Sequence, residues 1–233
     1  IPLAASFELY DAYGGLVTYT LHYPDEEVVS TWTTNERGEL TLPMALGEGC
    51  YFLKEVAAPE GYVLDSEPAA FAVSADYRGW DDPIVLTFED APQKGTVTVS
   101  KTNSETGSPV DGSTYIVKAE GDVSTPDGIL RYADGQIVAT LTTDAEGHAT
   151  SEPLYLGTYT VYEAKAKDGY ALDVAENTVA LTYQGQEASV FDERIDVADA
   201  PTELRLVKVD SLDGETPIEG AVFRIWNDAG DFD

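Results

Sequence analysis

Apolar and polar residues alternate along most of this chain. The clearest runs are Thr96-Val-Thr-Val-Ser-Lys101, Gly157-Thr-Tyr-Thr-Val-Tyr-Glu163 and Ile84-Val-Leu-Thr-Phe-Glu-Asp90. Successive side chains of a strand point to opposite faces, so each run predicts a short strand with one buried side. Gly, Pro, Asp and Asn punctuate the runs, as in Asn35-Glu-Arg-Gly38, Asp134-Gly135 and Asp144-Ala-Glu-Gly147. No window holds a sustained helical stripe. Many short strands at this spacing predict an all-β chain of antiparallel sandwiches. The segment Asp122-Val-Ser-Thr-Pro-Asp-Gly128 reads as a long loop.

The pattern recurs at long range. Tyr51-Phe-Leu-Lys-Glu-Val-Ala-Ala-Pro-Glu-Gly-Tyr-Val-Leu-Asp65 has a counterpart in Tyr159-Thr-Val-Tyr-Glu-Ala-Lys-Ala-Lys-Asp-Gly-Tyr-Ala-Leu-Asp173. Each copy ends an apolar strand on a Glu, turns, and reaches Gly-Tyr. The copies start 108 positions apart, which is the length of a small domain and too long for a solenoid repeat. A second segment occurs three times, at Ile1–Asp11, Ser108–Lys118 and Thr216–Trp226. In the last two cases a strand carrying a lysine precedes it: Val97-Thr-Val-Ser-Lys101 and Leu204-Arg-Leu-Val-Lys208. The chain therefore divides into residues 1–94, a domain lacking its first strand; 95–200, a complete domain; and 201–233, the opening strands of a third. It begins in mid-pattern and reads as a piece of a longer protein. The junctions, Asp90-Ala-Pro-Gln-Lys-Gly95 and Asp199-Ala-Pro-Thr-Glu203, are short and contain proline, which favours a stiff, rod-like array.

Charge and cysteine content narrow the function classes. The net charge is -30, spread as -13, -12 and -5 over the three units. Such a field repels nucleic acid and anionic membranes, and its even spread fits the solubility of an exposed protein. One cysteine, Cys50, rules out an intrachain disulfide; beside Gly49 at a strand start it reads as a small packed thiol. Two histidines, His22 and His148, and a single cysteine give no zinc spacing. No apolar run approaches a membrane span, and no cofactor is implied.

Alternation also places three ionisable groups. In the middle unit Val97, Val99 and Lys101 share a face, as do Tyr159, Val161 and Glu163, and Ile195, Val197 and Asp199. Each time the ionisable residue falls on the apolar side at the strand's end. The first unit offers Tyr51, Leu53 and Glu55, and Ile84, Leu86, Phe88 and Asp90; the third offers Leu204, Leu206 and Lys208. Buried charges neutralise or pair. Burial lowers the pKa of an amine and raises that of a carboxyl. A neutral amine is a nucleophile, a protonated carboxyl is an electrophile, and a second carboxyl can shuttle protons between them. The expected product is a Lys101–Asp199 amide with loss of one water. A buried ion pair, or strand-end charges with their heads in water, accounts for the same pattern without a bond.

These segments resemble the Cna B-type, or SpaA-type, isopeptide-forming domains of Gram-positive surface adhesins and pilins. The family's Lys-x-Asp opening matches Lys208-Val-Asp210 and, more loosely, Lys101-Thr-Asn103. Its Gly-x-Pro-Leu-x-Gly-Ala-x-Phe pattern appears in Gly214–Phe223, and its E-box in Gly49–Tyr62 and Gly157–Tyr170. The resemblance implies tandem Ig-like or prealbumin-like β-sandwiches. It implies Lys101 as nucleophile, Glu163 as proton shuttle and Asp199 as acceptor. Glu55 and Asp90 match in the first unit, where no lysine matches: Lys54 faces the other way and Lys94 follows the last strand. Lys208 stands alone in the third. Two departures are Ala-Lys-Asp-Gly-Tyr170 in place of Ala-Pro-x-Gly-Tyr, and an acceptor Asp where Asn is commoner.

The function implied is a structural stalk of an extracellular, cell-wall-anchored adhesin or pilus-related protein, with no turnover chemistry. Host-matrix or other surface ligands would be met by the parent protein; sortase and peptidoglycan would act through regions outside this chain, which lacks a Leu-Pro-x-Thr-Gly signal and a Tyr-Pro-Lys pilin motif. The competing reading is a module that itself binds host matrix or glycans through exposed aromatics, with Trp80 and Trp32 as candidates against simple rim packing. An accessory domain of a secreted enzyme finds no Ser/His/Asp set or metal-binding spacing to support it.

Overall fold

The computed structural model describes residues 4–22, 24–77 and 83–225. Its strands fall into two successive groups. The first holds β1 (Ser6–Asp11), β2 (Tyr19–Leu21), β3 (Glu27–Val29), β4 (Thr31–Thr33), β5 (Gly49–Ala57), β6 (Tyr62–Val63), β7 (Ala69–Val73) and β8 (Ala91–Pro92). The second holds β9 (Lys94–Asn103), β10 (Thr114–Ala119), β11 (Val123–Ser124), β12 (Leu130–Tyr132), β13 (Ile137–Thr142), β14 (His148–Thr150), β15 (Leu154–Tyr155), β16 (Gly157–Lys165), β17 (Glu176–Leu181) and β18 (Val190–Asp199).

In the second group one sheet runs β13-β10-β16-β17, and the facing sheet is centred on β9, flanked by β14, β15 and β18. Val97 and Val99 from β9, Val117 from β10 and Tyr159 and Val161 from β16 are fully buried between them. This is the sandwich that period-two alternation calls for, two inner faces sharing one core. All described strand pairs are antiparallel except one. β18 lies parallel to β9, from Val190 opposite Lys94 to Asp199 opposite Asn103. The unit's first and last strands are thus hydrogen-bonded neighbours running the same way.

The first group has the matching sheet, β4-β1-β5-β7, but among the described residues no strand corresponds to β9. Three sequence expectations change as a result or nearby. Ile84–Asp90 forms no strand, although Leu86, Phe88 and Asp90 still turn inward and Phe88 packs edge-on against Phe7 at 4.8 Å; the alternation is present and the ladder partner is not. Cys50 is exposed rather than packed, because Tyr51, Leu53 and Glu55 take the inner face of β5 and leave Cys50 on the outer one. The expected loop at 122–128 is half a hairpin: β11 pairs with β12, and Val123 is buried so tightly against Gly157 that a Cβ there would sit 2.7 Å from its Cγ2.

Among the described residues beyond 202 no ladder forms. Leu204, Arg205, Leu206, Val207 and Lys208 are exposed, and a single bridge joins Val209 to Pro217.

Candidate functional site

The middle-unit trio converges. β9 carries Lys101 inward, with no exposed surface; β16 brings Glu163 and β18 brings Asp199 to the same buried point. Lys101 Nζ lies 3.3 Å from Glu163 Oε1 and in contact with Asp199 Oδ1. Contact is not matched by angle: Nζ and both Asp199 oxygens lack a well-oriented hydrogen bond. Burial pushes the Asp199 carboxyl above its ordinary pKa, with the Lys101 contact working against that rise.

Glu163 is held from two sides. The backbone N–H of Asp173 donates to its Oε2 at 2.9 Å, and the Tyr115 hydroxyl donates to its Oε1 at 3.4 Å. Tyr115 stands directly opposite Glu163 across the β10–β16 ladder, and its ring lies 5.6 Å from Lys101 Nζ. Burial raises the phenol's pKa far above its usual value, so the hydroxyl stays a donor. Sequence reasoning missed Tyr115. Its inward position on Thr114-Tyr-Ile-Val-Lys118 was readable, but nothing in the sequence placed it beside Glu163; that needs the register.

The corner after Lys101 is fixed by backbone bonds. Lys101 N–H donates to Gly147 O at 2.7 Å and Val110 N–H donates to Lys101 O at 3.0 Å. Gly147, at φ 77°, approaches so closely that a Cβ would lie 2.4 Å from Lys101 O; only glycine fits there.

In the first unit Glu55 and Asp90 also meet, but without a cation. Glu55 lies opposite Phe7 on β1, the position held by Tyr115 in the second unit. It is 1% exposed, and neither of its oxygens, nor Asp90 Oδ1, has a well-oriented hydrogen bond, although the Asp65 backbone N–H and the Asp90 carboxyl are close enough to act on it. Burial foremost, then the neighbouring Asp90 carboxyl, pushes Glu55 up to about 8; burial likewise raises Asp90. In the third unit Lys208 is exposed and its Nζ donates to Val209 O at 3.1 Å. Trp32, a candidate for ligand contact, is buried opposite Phe7; Trp80 lies outside the described residues. Among the described residues no group of three or more His, Cys, Asp or Glu is placed to hold a metal.

A further polar cluster joins the two units. Gln93 is buried; its amide donates to Gly185 O and Ala188 O at 2.8 and 2.5 Å and accepts from Gln184 N–H at 2.8 Å. Gln186 accepts from Ala58 N–H and donates to Val56 O. Gly61, beside the E-box Tyr62, abuts Pro126 of the second unit.

A family model of the SpaA prealbumin-like fold domain matches residues 3–80 and 95–194. Among solved structures, the Bacillus anthracis TIE protein is similar at 21% identity and a TM-score of 0.53, over 85% of this chain and 30% of that one. The minor pilin of Streptococcus agalactiae matches at 19% identity over 90% of this chain and 88% of that one, with a TM-score of 0.37. The shaft pilin of Lactobacillus rhamnosus GG matches at 17% identity over 88% and 87%, with a TM-score of 0.35. The chain thus spans less than a third of the TIE protein's length, and at these identities the likeness concerns fold. No curated protein sequence matches the chain. Two sandwich-forming segments, each with its glutamate-ended strand, coincide with the matched residues: the chain belongs to the SpaA family of prealbumin-like fold domains.

Proposed function

We propose that this chain is a load-bearing stalk segment of a Gram-positive surface adhesin or pilus-related protein, stabilised by a self-formed amide between Lys101 and Asp199. The observation that carries the reading is Lys101 Nζ, wholly buried and in contact with the carboxyls of both Asp199 and Glu163. Pilins among the structurally similar proteins are consistent with a surface role. Anchoring to the cell wall by sortase, and contact with host matrix, belong to the parent protein in this reading.

The reaction conserves its atoms. Lys101 Nζ attacks Asp199 Cγ, forming the C–N bond; a C–O bond breaks, and the hydroxyl leaves as water. Glu163 takes the amine proton and returns one to the departing oxygen, the general acid–base role for which Tyr115 and the Asp173 N–H orient it. Reactants held in contact have a high effective molarity. The bond closes a loop of about 100 residues, which stabilises by roughly 4–5 kcal/mol through lost chain entropy, and it resists reduction.

Intact mass under denaturing conditions tests this. The expected value is one water below the sequence mass, with a cross-linked peptide containing Lys101 and Asp199; Glu163→Gln should restore the full mass. A wild-type chain at full sequence mass overturns the amide.

A further inference from the structure

Asp199 is the last residue of β18, and the end of an element is where a fold frays first. On one side Ser104 N–H holds the Asp199 carbonyl at 2.9 Å. On the other, the hold comes through residues 200–202 and the loop between β16 and β17. Thr202 N–H and Oγ1 donate to Gly169 O at 2.8 and 3.1 Å. Ala171 N–H donates to Ala200 O at 3.1 Å, and Tyr170 bridges to Pro201. The same loop ends on the proton shuttle, through the Asp173 N–H that bonds Glu163 Oε2 at 2.9 Å. Its near end is tied down just before β10: Lys167 N–H donates to the buried Ser113 Oγ at 3.2 Å, and Lys167 Nζ contacts Asp111. One loop thus holds both carboxyls, the shuttle directly and the acceptor through the three residues that follow it.

A single side-chain bond joins this loop to the lysine strand. Asn103 Nδ2 donates to the Tyr170 hydroxyl at 3.2 Å. Asn103 stands two residues past Lys101 and directly opposite Asp199 in the β9–β18 register. Its amide is oriented from the other side, because Oδ1 accepts from Glu105 N–H at 2.8 Å and from Thr106 N–H at 3.0 Å. With the carbonyl oxygen engaged in the turn, the amide nitrogen faces the phenol. Asp210, at the matching position after Lys208, caps its own turn in the same way through Leu212 N–H. An aspartate at 103 would therefore keep the turn and take the bond in the other direction, accepting from the phenol.

The backbone clasp is common to both units: Tyr62 pairs with Pro92, and Gln93 N–H donates to Gly61 O at 2.8 Å. The use of the phenol is not. Tyr62 is buried beside Asp127 of the second unit, whereas Tyr170 is tied to the strand that carries Lys101.

We infer that Tyr170, tied to Asn103, is a positioning residue for amide formation in the second unit: it closes the 166–173 loop against the lysine strand, so that Asp199 and Glu163 reach Lys101 together. The inference rests on the chemistry proposed for Lys101 and Asp199. Proximity alone does not suffice for that chemistry. Lys101 Nζ must meet Asp199 Cγ along a narrow approach, and a misplacement of about 1 Å costs on the order of 100-fold in rate. β18 can pair along most of its length and still leave its final carboxyl loose. The closed loop removes that freedom, and Tyr170 acts through the loop and not on the reacting atoms.

The test follows intact mass and intrinsic fluorescence on the 233-residue chain, quenched into urea straight after cell-free synthesis and then diluted to refold. Fluorescence reads folding, and mass reads the loss of water. Tyr170→Phe keeps the ring; it should fold at the wild-type rate and lose water about fivefold more slowly, the worth of one ordinary hydrogen bond. Asn103→Ala should be at least as slow, and adding Tyr170→Phe to it should change nothing further, because the two act as one unit. Asn103→Asp, which preserves both the turn and a partner for the phenol, should restore water loss to near the wild-type rate. Tyr170→Phe that loses water as fast as wild type overturns the inference. So does a variant whose folding and water loss slow in step, which marks a merely structural role, and so does Asn103→Asp as slow as Asn103→Ala. In each of these outcomes wild type still sheds its water and the amide stands. A wild-type chain that folds and stays at full mass overturns the amide, and this inference with it.

Discussion

The first and second units set the same glutamate at the same register, Glu55 opposite Phe7 and Glu163 opposite Tyr115, and the surroundings diverge from there. In the second unit Glu163 has a lysine, a phenol and a backbone N–H. In the first, Glu55 has another carboxyl and an aromatic ring. The difference extends to the backbone. Where a lysine strand is present, its neighbours on both sides are strands; where it is absent, residues 39–42 and 84–90 keep their alternation and form no ladder. One strand therefore supplies both the sheet's centre and the cation that its carboxyls require.

The comparison breaks most sharply if the second unit loses its lysine. Lys101→Ala would prevent the proposed amide and leave Glu163 and Asp199 as two buried carboxyls, the condition of the first unit. The second unit should lose at least the roughly 4–5 kcal/mol of loop closure, a fall in its Tm of about 20 °C or more for a unit of this size. Calorimetry that finds its transition unmoved removes the amide as a source of stability.

A pH series separates the units next. Glu55 titrates at about 8 in the folded chain against an ordinary value of 4.5. A carboxyl with a raised folded pKa binds its proton more tightly when folded. Its contribution is complete below about pH 4.5 and declines as pH rises towards about 8. Amide exchange from β1 and β5 should accelerate over that window, and Glu55→Gln should flatten the response. Exchange that slows with rising pH, after correction for intrinsic rates, contradicts the assignment.

Gln93→Ala should loosen the junction. It strips Gly185 O, Ala188 O and Gln184 N–H of their buried partner, at a cost of about 1–3 kcal/mol. Small-angle scattering should then report a wider spread of inter-unit distances than in wild type; an unchanged profile would mean that Gln186 and the Gly61–Pro126 contact suffice. The smallest effect belongs to Tyr115→Phe, which converts the second site to the first unit's aromatic. Losing a 3.4 Å hydrogen bond should cost about 1 kcal/mol and slow water loss without stopping it, as read by mass during refolding.

Much of this was legible in the sequence, for a physical reason. Alternation fixes which face a side chain takes, so Lys101, Glu163 and Asp199 could be set inward without knowing strand order. What alternation cannot supply is the partner. Ile84–Asp90 reads as a strand as clearly as Val190–Asp199, but among the described residues it has no neighbour to pair with. Residues 204–208 read the same way and stand exposed for the same reason. Tyr115 became part of the site through cross-strand register, and Gln93 became buried through contact with residues some ninety positions away; neither leaves a local signal. Val123 looked like loop because Thr125-Pro126-Asp127-Gly128 follows it, whereas burial against Gly157 made it a strand.

The parallel pairing of β9 with β18 has a consequence for how the unit is made. It joins residues 96 apart in sequence, Lys94 with Val190, the kind of non-local contact that forms late and slowly. A slip of one residue would turn Asp199 to the outer face and leave Lys101 facing no acceptor. An amide drawn across this pair can form only after the whole intervening chain has threaded correctly. The proposed amide would thus proofread the domain it seals: misfolded copies would stay open to refolding or proteolysis, and only finished ones would become permanent.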